Sequence, residues 1–215
     1  MNIVLLGPQG SGKGTQAELL VDKLKLTRVE MGQILRNAAA SKTKVGETIK
    51  GYQNRGELVP DEYTHTLLNA YVTTNDSKVG YLFDGFPRTL DQYKAVKEIL
   101  DNLGQKIDKV INLYISEEET IRRLSSRRVC PNCKEVWNTI TKPSPKGDLC
   151  GKCGHNLVHR EDDKPDAIRK RLEWSKSKVG PVIEKAREEG LLVEVNGEQS
   201  IEAVHKDLMS KLQDL

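Results

Sequence analysis

No run of about 18 apolar residues, the length a membrane-crossing helix requires, occurs in this 215-residue chain. Its opening stretch, Met1-Asn2-Ile3-Val4-Leu5-Leu6-Gly7, has no basic region and too short an apolar run for a secretion signal. The expectation is a cytoplasmic protein with no membrane partner, monomeric by default. Aromatic residues are scarce, with two Trp, two Phe and six Tyr. That leaves little for stacking on single-stranded bases. An excess of one charge is also missing: 34 basic against 31 acidic side chains give +3. Such a balance does not suit a protein that coats nucleic acid, although it allows a local basic cleft. Cysteines number only four. In a reducing compartment four thiols point to a metal site rather than to two disulfides.

The pattern that remains alternates short apolar runs with amphipathic stretches. Asn2–Leu6, Tyr81–Asp84, Lys109–Ile115 and Leu191–Val195 read as strands buried on both faces. Between them lie helical patterns. One opens near Lys13, and one follows Pro60-Asp61. Another carries Ala95, Val96, Ile99, Leu100 and Leu103. A fourth begins at Ser116, with Glu119 completing a capping box. A long one opens near Pro165, and the last begins near Ser200. The alternation predicts an α/β fold with a central parallel sheet covered on both faces. Two segments interrupt it. Residues 30–59 are polar and helical in character. Residues 127–163 hold all four cysteines and have almost no apolar run, so they cannot fold on a hydrophobic core of their own.

Gly7-Pro8-Gln9-Gly10-Ser11-Gly12-Lys13-Gly14-Thr15 joins the first strand to the first helix. A loop of this kind turns successive N–H groups toward phosphate oxygens, and the helix N-terminus adds partial positive charge. Lys13 would reach the β- and γ-phosphates, and Thr15 would offer its hydroxyl to Mg²⁺. Gly14 separates Lys13 from Thr15, so the strict G-x4-G-K-[ST] pattern is not met. Asp84, at the end of a predicted central strand, is placed to hold the metal directly or through water. A switch GTPase is excluded: no Asn-Lys dipeptide occurs, and Asp101-Asn102-Leu103-Gly104 falls at a helix end.

Cys130-x2-Cys133 and Cys150-x2-Cys153 are separated by sixteen residues, the spacing of a four-thiolate tetrahedral site. Four sulfurs leave no open coordination position, so the metal is structural. Zinc is the expected ion, and iron is not separated from it by ligands alone. The same ribbon, with Lys134, Trp137, Lys142, Lys146 and Lys152, raises a rival class: a nucleic-acid-binding ATPase. That reading leaves Gly85–Arg88 without a role.

Gly85-Phe86-Pro87-Arg88-Thr89 follows Asp84 directly, and Gln92 stands four residues beyond the arginine. With the glycine loop, Arg127-Arg128, Arg160–Asp163 and Arg169–Arg171, this order closely resembles the adenylate kinases, which are nucleoside monophosphate kinases. The cysteine segment resembles the long zinc-bearing lid of many bacterial members. The resemblance implies a P-loop core of residues 1–29, 60–126 and 164–215. It also implies a monophosphate-binding insert of 30–59 and a lid of 127–163. The implied reaction is ATP plus AMP giving two ADP, with Mg²⁺. Gly10, Ser11, Gly12, Lys13, Gly14, Thr15, Arg123, Arg127, Val136, Trp137 and Gln199 would hold ATP. Met31, Arg36, Glu57, Leu58, Val59, Gly85, Phe86, Pro87, Arg88 and Gln92 would hold AMP. Arg160 and Arg171 would bridge the transferring phosphates, and Asp162 and Asp163 would either orient the closed lid or cap the following helix. Lys13, Asp84, Arg88, Arg127, Arg160 and Arg171 would carry the chemistry. The family usually has threonine and aspartate where Met31 and Gln33 stand. This departure predicts AMP as the best acceptor with weaker rejection of other monophosphates; the alternative is a kinase for a different or broader base.

Overall fold

The computed structural model describes residues 1–212 apart from 56, 58, 76, 160–162 and 164; the side chains of 165–167, 170 and 171 also lie outside the description. In chain order the first half comprises β1 (Ile3–Leu6), α1 (Lys13–Leu24), β2 (Thr27–Val29), α2 (Met31–Ala40), α3 (Lys44–Asn54), α4 (Asp61–Thr74), β3 (Tyr81–Asp84) and α5 (Leu90–Asp101). The second half comprises β4 (Lys109–Tyr114), α6 (Glu117–Ser125), β5 (Arg127–Val129), β6 (Val136–Asn138), α7 (Pro165–Glu188), β7 (Leu192–Asn196) and α8 (Ile201–Leu212).

Five strands form one parallel sheet in the order β2-β3-β1-β4-β7. Because side chains alternate along a strand, β1 feeds both faces. Val4 and Leu6 join Phe83, Val96, Val110 and Val182 on one side; Ile3 and Leu5 join Ala17, Leu20, Ile111 and Leu208 on the other. All four residues of β1 are buried, which matches a strand covered above and below. From β1 the chain builds β2 and β3 on one side and then crosses to β4 and β7 on the other. Such a reversal of strand order opens a crevice at the carboxyl ends of the strands, where ligands bind in α/β folds. The glycine loop and Asp84 both lie at that end.

The predicted strands and helices recur with shifts of a residue or two. Three details differ. Strand β2 is additional to the expected strands, because three residues at a sheet edge are too few to show a period. Leu103 falls in the turn after α5 rather than on it. The capping box at α6 forms only half: Ser116 Oγ accepts from Glu119 N at 3.2 Å, but Ser116 N donates to Glu198 at 2.7 Å. Glu119 instead takes two arginines. The cysteine segment folds around the antiparallel pair β5–β6, separate from the main sheet.

Candidate active site

The loop after β1 owes its course to glycine. A Cβ at Gly7 would run into the Leu113 carbonyl of β4, and Gly12 sits at φ +96°. Gly12 is also the N-cap of α1 and has no side chain to satisfy the first-turn amides. Those donors are therefore left to a ligand. Two polar atoms of the loop, Ser11 Oγ and Gln9 Oε1, are buried without a hydrogen-bond partner.

A cleft of about 300 Å³ opens above the loop. Gly7, Lys13, Gly85 and Arg88 line its polar side, and Ile168, Leu172, Trp174 and Val179 of α7 line its apolar side. Lys13 Nζ donates to the Gly7 and Pro8 carbonyls, each at 2.7 Å. Burial pushes its pKa down to about 8; Asp84 opposes the shift, while the positive charges of Arg88 and Arg127 add to it. One acid and three cations thus converge where the glycine loop ends. Thr15 is half-buried in the first turn of α1, two residues after Lys13.

Arg123 lies across the loop. Its Nη1 donates to Gly10 O at 3.3 Å, and Glu119 accepts from Arg123 at 2.5 Å and from Arg122 at 2.6 and 2.7 Å. The Arg122 hydrogen bonds, with those of Arg123 behind them, hold the Glu119 carboxyl at about 2 despite partial burial. Arg127 is clamped by Asp163, with contacts of 2.8 and 2.5 Å. Asp163 is completely buried. Of the two roles open to Asp162 and Asp163, the structure gives Asp163 the arginine contact; Asp162 lies outside the described residues.

Among the residues expected to hold AMP, Gly85 takes φ +64°, and Arg88 Nε donates back to its carbonyl at 2.9 Å. Phe86 and Pro87 are buried behind a cis peptide bond. Gln92 is nearly buried; its Oε1 accepts from Arg88 N at 2.8 Å and its Nε2 donates to Asp61 at 2.7 Å. One amide N–H and one lone pair remain for a ligand. Arg36 on α2 is held by Glu30 and Gln33. Val59 is buried, Glu57 is exposed and paired with Arg55, and Leu58 lies outside the described residues. Met31, 5% exposed, belongs to the same buried cluster as Leu68 and Phe86.

Not every expected donor residue gathers at the cleft. Val136 is exposed on β6. Trp137 turns into the cysteine segment: a Cβ at Gly151 would lie 2.9 Å from its ring, and Lys142 Nζ sits 5.2 Å from its centroid. Gln199 donates to Asn196 O at 3.1 Å in the turn before α8. Arg160 and the side chain of Arg171 lie outside the description. The residues that sequence reasoning passed over are Arg28, Glu30, Asp61 and Glu119. A charged residue on a three-residue strand or in a helix first turn has no pattern to mark it.

The four cysteine sulfurs lie within 4.8 Å of one another, with Cys130–Cys153 at 3.3 Å, Cys133–Cys153 at 3.4 Å and Cys133–Cys150 at 3.6 Å. Tetrahedral zinc–thiolate bonds put sulfurs about 3.8 Å apart, so the set fits such an ion. The two halves repeat one turn. Lys134 N bonds Cys130 O and Gly154 N bonds Cys150 O, with Lys134 at φ +62° and Gly154 at φ +76°. Each turn aims an amide at sulfur, that of Glu135 at Cys133 and that of His155 at Cys153. Such bonds favour thiolates, and Cys153 falls to about 5, but burial and the neighbouring thiols push Cys133 up to about 12.

The family model for Adenylate kinase matches residues 5–191. The chain belongs to the adenylate kinase family. Its similarity runs from end to end. It is 40% identical over 215 residues to an adenylate kinase of Archaeoglobus fulgidus, covering 100% of this chain and 99% of that one. It is 41% identical over 216 residues to an adenylate kinase of Kosmotoga olearia, covering both completely. An adenylate kinase of Bacillus licheniformis is 38% identical over 212 residues, covering 99% of this chain and 98% of its own. The glycine loop, Asp84, Arg88 and the four cysteines all fall inside the segment the family model spans.

Proposed function

We propose that this chain is a phosphotransferase of the adenylate kinase type, interconverting ATP plus AMP with two ADP. The observation that carries the reading is the convergence of Lys13 and Arg88 on one cleft above a glycine loop, with the Asp84 charge acting on Lys13, in a chain similar along its whole length to adenylate kinases.

An acceptor phosphate is already anionic at neutral pH, so no general base is required. Catalysis reduces to alignment, charge stabilisation and exclusion of water. The amides of residues 10–15 cradle the donor phosphates, and Lys13 follows the charge that develops on the transferred group. Arg123 and Arg127 hold the donor side, with Arg160 and Arg171 bridging the transferring phosphates. Arg36 and Arg88 fork onto the acceptor phosphate. Gln92 uses its spare donor and acceptor on the adenine. Thr15 and Asp84 would hold Mg²⁺, directly or through water; when bound, the ion neutralises phosphate charge. Cys130, Cys133, Cys150 and Cys153 would hold one structural zinc, which takes the place of a hydrophobic core in residues 127–163. That segment is the lid, residues 30–59 form the acceptor insert, and the remainder is the core. The setting is the cytoplasm, with free adenine nucleotides as partners.

A coupled assay with ATP and each of AMP, GMP, CMP and UMP tests the reading. Turnover should depend on the acceptor and be highest with AMP. ATP hydrolysis at equal rate with no acceptor would overturn it.

A further inference from the structure

Arg28 lies on β2, opposite Leu82 of β3 and therefore two residues short of Asp84. Its guanidinium reaches along the sheet edge to Asp84, with Nη2 to Oδ2 at 2.5 Å. The same nitrogen stands 3.7 Å from Glu30, and Nη1 stands 3.8 Å from Glu18 on α1. The guanidinium also faces the phosphate loop, since a Cβ on Gly14 would lie 4.0 Å from it. Asp84 is 9% exposed and Arg28 27%, so this pair is partly shielded from solvent. Burial opposes the Arg28 charge, but the bond and charge of Asp84, then Glu30 and Glu18, hold its pKa above the ordinary value. Arg28 Nε is buried with no partner.

Glu30 faces two ways. Its other oxygen, Oε1, accepts from Arg36 at 2.9 Å, while Gln33 Oε1 takes Arg36 Nε and Nη2 at 3.2 and 2.8 Å. Asp84, Arg28, Glu30 and Arg36 therefore form one continuous chain of alternating charge. It runs from the donor side of the cleft to the arginine assigned to the acceptor phosphate. Residue 33 is a neutral glutamine, so the carboxylate beside Arg36 comes from Glu30. An incoming phosphate dianion competes with that carboxylate for the charge and Nη2 edge of the same guanidinium.

We propose that Arg28 and Glu30 are positioning residues that couple the two phosphate sites: Glu30 competes with the acceptor phosphate for Arg36 and, once displaced, draws Arg28 away from Asp84, freeing that carboxylate for the donor side. The proposal rests on the phosphotransferase reading above. The two links made by Glu30 are partly exposed ion pairs, so the effect of each is modest, about two- to fivefold in affinity. Coupling is reciprocal: acceptor binding strengthens donor binding by the factor that donor strengthens acceptor.

Calorimetric titration tests it with AMP alone and with AMP in the presence of a non-hydrolysable ATP analogue and Mg²⁺. Glu30→Gln should bind AMP alone about two- to fivefold more tightly than the unmodified protein. In both Glu30→Gln and Arg28→Gln, the factor by which the analogue tightens AMP should shrink by a similar amount; Arg28→Lys, which keeps the charge, should restore part of it. Glu18→Gln removes an equal charge that touches Arg28 but not Arg36, and should leave the affinity for AMP alone unchanged. Glu30→Gln binding AMP no better than the unmodified protein would overturn the proposal. So would a coupling factor unchanged in both Glu30→Gln and Arg28→Gln. Unmodified protein that binds no AMP at all would remove the underlying reading, and this proposal with it.

Discussion

Lys13 illustrates how burial sets chemistry for a single side chain. Its pKa falls from 10.5 to about 8 because its surroundings desolvate the ammonium, with Arg88 and Arg127 repelling it further. Only the protonated form pairs with phosphate. Donor affinity should therefore be level below pH 8 and fall as pH rises through about 8, with proton uptake on binding. A pH profile of kcat/KM for ATP, which reports groups of the free protein, should show that limb. Lys13→Arg should move it out of range. Stability has the opposite sign. The folded pKa lies below the unfolded one, so the unfolded chain binds more protons between about 8 and 10.5, and stability rises with pH in that window. Lys13→Ala should accordingly lose about 10²–10³ in kcat, the usual loss when one preorganised charge contact is removed, while melting no lower at neutral pH. Met31 carries a different lesson. The sequence marks it as a departure beside the acceptor base, and the structure places it in the core. Met31→Thr should lower stability by about 1–3 kcal/mol, since it shrinks a buried side chain and buries a hydroxyl. Relative kcat/KM values for AMP, CMP, UMP and GMP then decide its part in acceptor choice. A ratio rising for AMP assigns selectivity to residue 31, and unchanged ratios leave it a packing role alone.

Among the elements, the cysteine segment depends on its cross-link most. Its strands β5 and β6 have three residues each, and Val136, Ile140, Leu149 and Val158 are exposed rather than packed. Cys130→Ser should release the metal and lower the melting temperature, and metal analysis of the intact protein should find about one zinc per chain. Protein with no metal, freely titrating thiols and stability indifferent to chelator would contradict the assignment. Asp163→Asn should loosen the Arg127 clamp and cost more stability than an exposed ion pair, because Asp163 is fully buried. The helices α5, α7 and α8 are legible because each carries several turns of period, and the glycine loop because it joins a buried strand to an amphipathic helix. The cysteine spacing was equally legible, since four ligands at fixed intervals have few other uses. What escaped was short or relational. Strand β2 offers three residues and no period. The spacing of Ser116 and Glu119 predicts a full capping box, yet Arg122 and Arg123 take the Glu119 carboxylate in place of the Ser116 amide. Nothing in the order of residues announces that Arg28 meets Asp84, 56 positions away.

For the molecule as a whole, the proposed reaction calls for residues 30–59 and 127–163 to close over one cleft on the parallel sheet. A bisubstrate mimic carrying both adenosines should protect both segments from proteolysis together. The most direct test of the central claim uses a single nucleotide. Purified protein given ADP and Mg²⁺ alone should produce ATP and AMP in equal amounts until equilibrium, with no inorganic phosphate released. Release of phosphate from ADP, or no conversion at all in protein shown to be folded and metal-loaded, would contradict it.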